Sequence, residues 1–236
     1  MSSDVAFAIR LELAAPIIPG RRFMLDAMLS GLLFERLGDA ARAVAEIPLS
    51  RHGQTCCGSQ ALLEGPCEAV PVVYTMALRP ERDLAPDNIR PTGRGGRFPS
   101  VETTRGPYQN RMSTMVSYEA AAVWFCGKGD LEAVRSLLED VPAIGKKRSS
   151  GFGAIRPDSL DIEETSLALA GLVFADGTPA RAVPVETWKA IGGGSDAELA
   201  SEAAVPPYWQ GVRETCAVPS HLIVDRAQAG RLAGLD

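Results

Sequence analysis

Residues 130–153, DLEAVRSLLEDVPAIGKKRSSGFG, predict a helix, a glycine-rich turn and the start of a strand. Asp130 can cap the helix, and Pro142 helps to end it. The apolar residues that would face inward recur at three- and four-residue spacing: Leu131, Val134, Leu137 and Leu138. A strand over 152–160 follows the turn. This order of helix, glycine turn and strand is the starting point for the prediction of the fold.

Two further strands and another helix precede this segment. Residues 5–13 alternate apolar and polar side chains, as expected for a half-buried strand. A helix capped by Asp26 is predicted to continue to Pro48, and strands are predicted over 70–78 and 112–124. The resulting order, βαββαβ, is that of the ferredoxin-like (RRM-like) α+β fold. We therefore predict a ferredoxin-like core.

The core is predicted to cover residues 1–160, with a long basic insertion at about 80–111. A short helical piece is expected over 60–64, before the second strand. Residues 161–236 form a β-rich C-terminal extension packed on the core, with a strand over 167–174. We find no internal repeat. The extension is acidic, with 11 acids against 5 bases, whereas the preceding 160 residues have 18 acids and 19 bases.

The glycine-rich turn combines backbone freedom with positive charge. The turn contains Gly145, Gly151 and Gly153. Glycines permit backbone conformations that bring N–H groups close to a ligand. The turn also contains three cations, Lys146, Lys147 and Arg148. Cations beside such a backbone suit the binding of phosphates. Phe152 offers a ring for a base. These residues predict a polyanion-binding loop, for RNA in particular; the alternative is an ordinary basic turn between a helix and a strand.

The connector between the middle strands is the second basic region. From residue 88 to 117 it has one acid, Glu102, and five arginines: Arg90, Arg94, Arg97, Arg105 and Arg111. Phe98 and Tyr108 are interleaved with them, a combination that suits phosphate binding with base stacking. Connections of this length are often functional, but a solvated insertion remains the alternative. Arg21 and Arg22, at the first turn, are also candidate RNA contacts.

Composition narrows the class of protein. The chain has 236 residues, 46% of them hydrophobic, and a net charge of −5, which argues against general coating of nucleic acid. Neither a charged leader nor a membrane-length apolar run is present, so we expect no membrane partner. Five cysteines indicate a reducing cytoplasm. Zinc is conceivable at His52, Cys56, Cys57 and Cys67, but no Cys-x-x-Cys pair exists, and we predict no metal or other cofactor.

The loop Gly145-x5-Gly151-Phe152-Gly153 after a late helix resembles the RAMP superfamily of CRISPR systems. Ala143 departs from that pattern, because many members have another glycine there. More narrowly, the chain resembles the subunit that caps the crRNA 5′ handle in type IV CRISPR effector complexes. Three segments support this: 25–29 (LDAML), 105–108 (RGPY) and 207–209 (PYW).

The resemblance implies a non-catalytic subunit of an antiviral ribonucleoprotein. It would bind crRNA, dock on the backbone subunit and on the large subunit, and contact target DNA only indirectly. Lys146, Lys147, Arg148 and Phe152 would contact the handle. By position alone, the arginines of the connector would belong to an inserted thumb that kinks the RNA.

A catalytic relative is the alternative. The chain also resembles the CRISPR repeat endonucleases, which share this fold and loop. They process precursor crRNA without metal, by deprotonating a 2′-hydroxyl that attacks the adjacent phosphate. His52 is the candidate base, since it is the one histidine before residue 160 and lies in a polar segment. A paired tyrosine or lysine is missing from the sequence around it, so we predict no cleavage.

Overall fold

A computed structural model of the protein describes residues 4–20, 22–76, 105, 109–208 and 210–235. The chain divides into two compact units, residues 1–69 with 117–236, and residues 70–116. The strands are β1 Asp4–Leu13, β2 Arg51–His52, β3 Thr55–Cys56, β4 Leu62–Glu64, β5 Ala69–Met76, β6 Arg111–Tyr118, β7 Ala122–Asp130, β8 Ile155–Glu164, β9 Val183–Pro184, β10 Leu199–Glu202, β11 Glu214–Ala217 and β12 Ile223–Val224. The helices are α1 Leu25–Leu37, α2 Ala40–Ala45, α3 Leu131–Leu138, α4 Val185–Ala190 and α5 Arg226–Ala233.

The larger unit is built on a five-stranded sheet in the order β12-β4-β7-β1-β8. β1 lies near its centre and pairs antiparallel with both β7 and β8. β4 pairs antiparallel with β7, and β12, from near the C-terminus, adds a parallel edge strand to β4. A large sheet combined with helices makes this an α+β protein.

β1 confirms the strand predicted over 5–13 and explains how the sheet is covered on both faces. Phe7, Ile9 and Leu11 are at most 1% exposed and pack in one core with α1 and α3. Ala8 and Arg10 point to the other face, as the alternation of a strand requires. Both faces of β1 are therefore buried.

The helix capped by Asp130 is confirmed as α3, because the Asp130 carboxylate accepts a hydrogen bond from the N–H of Ala133 at 3.1 Å. The first predicted helix is divided in two. α1 begins after Met24 rather than Asp26, and it ends at Gly38, whose φ of 68° is left-handed. Asp39 then caps α2. The apolar spacing continues across Gly38, so periodicity alone did not show the break.

Three predicted elements of the middle and C-terminal regions are wrong. Residues 62–64 form the core strand β4, so the helical piece predicted over 60–64 is wrong. The strand predicted over 70–78 is present as β5, but it pairs with β6 in a separate two-stranded sheet. The strand predicted over 112–124 is two strands, interrupted where the Ala121 N–H donates to the backbone carbonyl of Glu64. Residues 167–174 form turns, because Gly171 has a φ of 82° and its backbone lies against Cys57.

The C-terminal extension covers the sheet face opposite α1 and α3. Ala229 and Leu232 of α5, with Phe174, pack on Ala8 and Trp124. The extension contains helices α4 and α5 as well as short strands. The extension therefore leaves no open surface over β1 and β7 on which bases could stack, whereas Asp161 and Glu163 of β8 remain exposed.

One buried ion pair lies on the covered face. The guanidinium of Arg10 donates to both carboxylate oxygens of Glu64, at 2.8 and 3.0 Å, and the indole N–H of Trp124 donates to the same group at 2.8 Å. Burial alone would raise the pKa of Glu64, but the hydrogen bonds from Arg10 and Trp124 outweigh it, and the pKa lies below its ordinary value. Glu64 is therefore held as a carboxylate.

Within the described ranges, no helix is both long and apolar enough to cross a membrane.

Candidate nucleic-acid interface

The glycine loop, residues 143–155, follows α3 and returns the chain to the sheet as β8. Its base is closed by the Ile144 N–H, which donates to the Gly153 carbonyl at 2.9 Å. Four residues have a left-handed backbone: Gly145, Lys147, Gly151 and Gly153, with φ of 82°, 60°, 87° and 65°. Between them, residues 148–150 form one turn of 3₁₀ helix. The spacing of the glycines thus matches the positions at which the chain reverses.

The loop is fixed to the segment that follows β1. The Gly153 N–H donates to the Pro16 carbonyl at 2.7 Å, and the Lys146 N–H donates to the Ile18 carbonyl at 2.8 Å. A Cβ added to Gly153 would stand 1.9 Å from the Ile144 carbonyl oxygen, and one added to Gly145 would stand 2.9 Å from that of Ile18. The loop is therefore closely packed at its base, and glycine is required at both positions.

The three cations of the loop differ in their surroundings. The side chains of Lys146 and Arg148 are exposed, Lys147 is partly exposed, and Phe152 is half-buried. Arg148 forms an ion pair with Glu35 of α1 at 2.7 Å, with the two side chains 44% and 55% exposed. Exposed pairs of this kind contribute about 0–1 kcal/mol, so a phosphate can displace Glu35. Lys146 has no acidic partner within the part of the chain that is described.

Arg22 and Lys146, predicted separately, lie on one cleft. It has a volume of about 240 Å³, and the C-terminal residues Tyr208 and Arg213 also line it. Arg22 donates to Glu202 of β10 at 3.0 Å. The C-terminal extension therefore forms one wall beside the glycine loop. Tyr208 and Arg213 were not predicted from the sequence as residues of the site.

A buried polar network, which was not predicted from the sequence, connects this wall of the cleft to Asp26 of α1. Arg181 and Asp26 are both fully buried and form an ion pair at 2.9 Å. Arg181 also donates to the Tyr208 hydroxyl at 2.7 Å and to the carbonyls of Cys56 and Ala204 at 2.7 and 2.9 Å. The Tyr208 hydroxyl donates to Asp26, and burial holds the Tyr208 pKa well above its ordinary value. The one signal in the sequence is an arginine within the apolar run 179–183.

The remaining predicted residues are not all described. Arg105 and Arg111 are exposed, and Arg111 begins β6 in the unit 70–116. Arg21, Arg94, Arg97 and Tyr108 lie outside the described residues. The prediction of a thumb-like connector therefore stays a prediction.

His52, the alternative catalytic base, is exposed in the β2–β3 hairpin. The neighbouring Ser50 hydroxyl donates to the carboxylate of Asp4, at the start of β1. The glycine loop packs on Pro16 and Ile18, beyond the end of β1. A ten-residue strand spans about 30 Å, so His52 and the loop lie at opposite ends of the sheet.

The cysteines that we considered for zinc do not gather into a metal site. In the described ranges, no group of three or more His, Cys, Asp or Glu residues could hold a metal ion. Cys56 is buried, and desolvation raises its pKa to about 12, which keeps it a thiol.

Comparison with known proteins identifies the family. No curated protein matches the chain. The family model described as "CRISPR type IV associated protein Csf3" matches residues 94–219, more than half of the chain, including the glycine loop and the Arg181 and Tyr208 segments. The chain therefore belongs to the Csf3 family and is a subunit associated with type IV CRISPR systems.

Proposed function

We propose that this protein is the RNA-binding subunit that caps the 5′ handle of crRNA in a type IV CRISPR ribonucleoprotein. The observation that carries the proposal is the glycine loop, whose base is fixed to the segment after β1 while Lys146 is exposed without an acidic partner in the described chain. Such a backbone holds cations in place before a ligand arrives, which reduces the entropic cost of binding.

The fold proposed for this role is ferredoxin-like. The elements β1, α1, β4, β7, α3 and β8 follow the βαββαβ order, and their four strands are neighbours in one sheet. In this scheme residues 1–160 are the RNA-binding core, and residues 161–236 are the extension packed on it. Bases would be held at the loops rather than on the sheet, because Trp124 and Ala8 are covered by α5.

The loop residues would contact different parts of the RNA. Lys146, Lys147 and Arg148 would contact phosphates, and Phe152 would stack on a base. The connector residues Arg94, Arg97, Arg105, Tyr108 and Arg111 would add contacts from the thumb-like insertion. Arg21 and Arg22 would add contacts from the turn before α1. Further partners in this scheme are the backbone subunit, the large subunit and, indirectly, target DNA, all in the cytoplasm.

Removing the three loop cations together tests the proposal. We expect Lys146→Ala/Lys147→Ala/Arg148→Ala to weaken binding of a labelled CRISPR repeat RNA by about 50-fold at 0.15 M salt, since each phosphate contact on a single strand contributes a slope of about −0.7 to log K against log salt. The slope should flatten by about 2 units. Fluorescence anisotropy over a salt series measures both quantities.

The control removes three exposed arginines elsewhere, Arg36, Arg42 and Arg231, and so makes the same change in net charge. We expect the control variant to keep the affinity and salt slope of the wild type. If the loop variant and the control variant bind equally, the glycine loop is not the RNA site, and the proposal is wrong.

Capping and cleavage are separated by a second experiment. We expect the wild type to leave precursor repeat RNA intact in EDTA, and His52→Ala to change neither RNA length nor assembly with the backbone subunit. An endonuclease would produce a 2′,3′-cyclic phosphate, and His52→Ala would slow it by about 10²-fold or more. If the wild type cleaves the RNA and His52→Ala does not, the capping proposal is wrong and the protein is an endonuclease.

A further inference from the structure

The cleft between the glycine loop and the C-terminal extension brings together cations from three distant parts of the chain. Arg22 comes from the turn before α1, Lys146 from the glycine loop and Arg213 from the segment before β11. Among the described residues that line the cleft, Glu202 is the one acid. Three positive charges therefore face one negative charge among its described residues.

The surplus of positive charge is located at Lys146 and Arg213. Arg22 is paired with Glu202 at 3.0 Å, and the two side chains are 20% and 10% exposed. Neither Lys146 nor Arg213 forms an ion pair within the described ranges. The Arg213 guanidinium donates to the Ser201 carbonyl at 3.5 Å. Both side chains are available to an anion.

The walls of the cleft are fixed before any ligand binds. A Cβ on Gly20 would stand 2.9 Å from Cε of Lys146, so the glycine leaves room for the lysine stem. On the facing wall, the hydroxyl of Tyr208 is held by Asp26 and Arg181 in the protein interior. Contacts of this kind on both walls favour a preorganised anion site.

The size of the cleft indicates which part of a nucleic acid it takes. Its volume of about 240 Å³ is below the roughly 300–1,000 Å³ of pockets for drug-sized ligands. A cleft of this size has room for a phosphodiester and part of its sugar.

We propose that the C-terminal extension contributes directly to RNA binding, with Arg213 and Lys146 holding one phosphodiester between them while Glu202 keeps Arg22 beside it. This inference rests on the proposed function and adds a contact from outside the predicted core. The bound strand would then run between the glycine loop and the extension.

The test compares two single arginine variants of the extension. We expect Arg213→Ala to weaken binding of the labelled repeat RNA about fourfold at 0.15 M salt and to flatten the salt slope by about 0.7. Lys146→Ala/Arg213→Ala should weaken it about 15-fold. The matched control is Arg231→Ala on α5, which removes the same charge at an exposed position and should bind as the wild type does.

The outcomes separate this inference from the proposed function. If the triple loop variant loses affinity while Arg213→Ala binds as Arg231→Ala does, the glycine loop remains the RNA site and the role of Arg213 is refuted. If the wild type itself fails to bind repeat RNA, the proposed function and this inference are both refuted. Thermal unfolding of each variant, expected at the wild-type temperature, shows that the losses come from binding.

Discussion

Replacing Arg181 by methionine should lower the free energy of unfolding by about 3–5 kcal/mol, the range for breaking a buried ion pair on one side. The substitution leaves the carboxylate of Asp26, which is fully buried, without its cation. It also removes donors from the carbonyls of Cys56 and Ala204. Urea denaturation followed by circular dichroism measures the change.

Two comparisons define the result for Arg181. Tyr208→Phe keeps the ring and removes only the hydroxyl that donates to Asp26, and we expect a loss of about 1–3 kcal/mol. Arg36→Met removes an exposed arginine whose guanidinium donates to the Ser136 carbonyl, and it should cost less than about 0.5 kcal/mol. A loss for Arg181→Met as small as that for Arg36→Met would show that the network does not stabilise the fold.

Gly153→Ala should be the most damaging small substitution in the glycine loop. The left-handed backbone, with φ of 65°, costs an alanine about 1–2 kcal/mol. The new Cβ would also stand 1.9 Å from the Ile144 carbonyl oxygen. The backbone must shift to relieve that overlap, and shifts caused by overpacking cost about 1–3 kcal/mol more. We expect a total loss of about 2–5 kcal/mol in urea denaturation, with weaker RNA binding.

Gly151→Ala is the matched control. Gly151 has a φ of 87°, but nothing lies within 4 Å of the position that its Cβ would take. The variant should therefore lose only the backbone cost of about 1–2 kcal/mol. Equal losses at the two positions would mean that close packing at the base of the loop contributes nothing.

The parts of the molecule that sequence predicted well are those built from local signals. α3 was predicted because its cap, Asp130, and its apolar spacing lie within nine residues. The glycine loop was predicted for the same reason, since its left-handed positions are marked by glycines, with Lys147 as the exception. The RAMP resemblance depended on this loop, whereas the type IV prediction, confirmed by the match over 94–219, depended on the segments 25–29, 105–108 and 207–209.

The parts that were missed depend on contacts between distant residues. β4 has three residues, too few to show a period, and it becomes a strand because β7 and β12 pair with its two edges. The cleft needs Arg22 and Arg213, which no spacing rule connects. Asp26 was assigned as a cap because of its residue type, whereas its partner Arg181 lies 155 residues later.

That separation has a consequence for biosynthesis. At about 5–20 residues per second, the ribosome makes Arg181 roughly 8–30 s after Asp26. During this time the carboxylate of Asp26 has no buried cation, and the sheet face that α5 will cover is open. Since α5 comprises residues 226–233, we expect the nascent chain to complete its core only after these residues have been made. Until then its open sheet face is a surface for chaperones, and the cleft that we assign to crRNA does not yet exist.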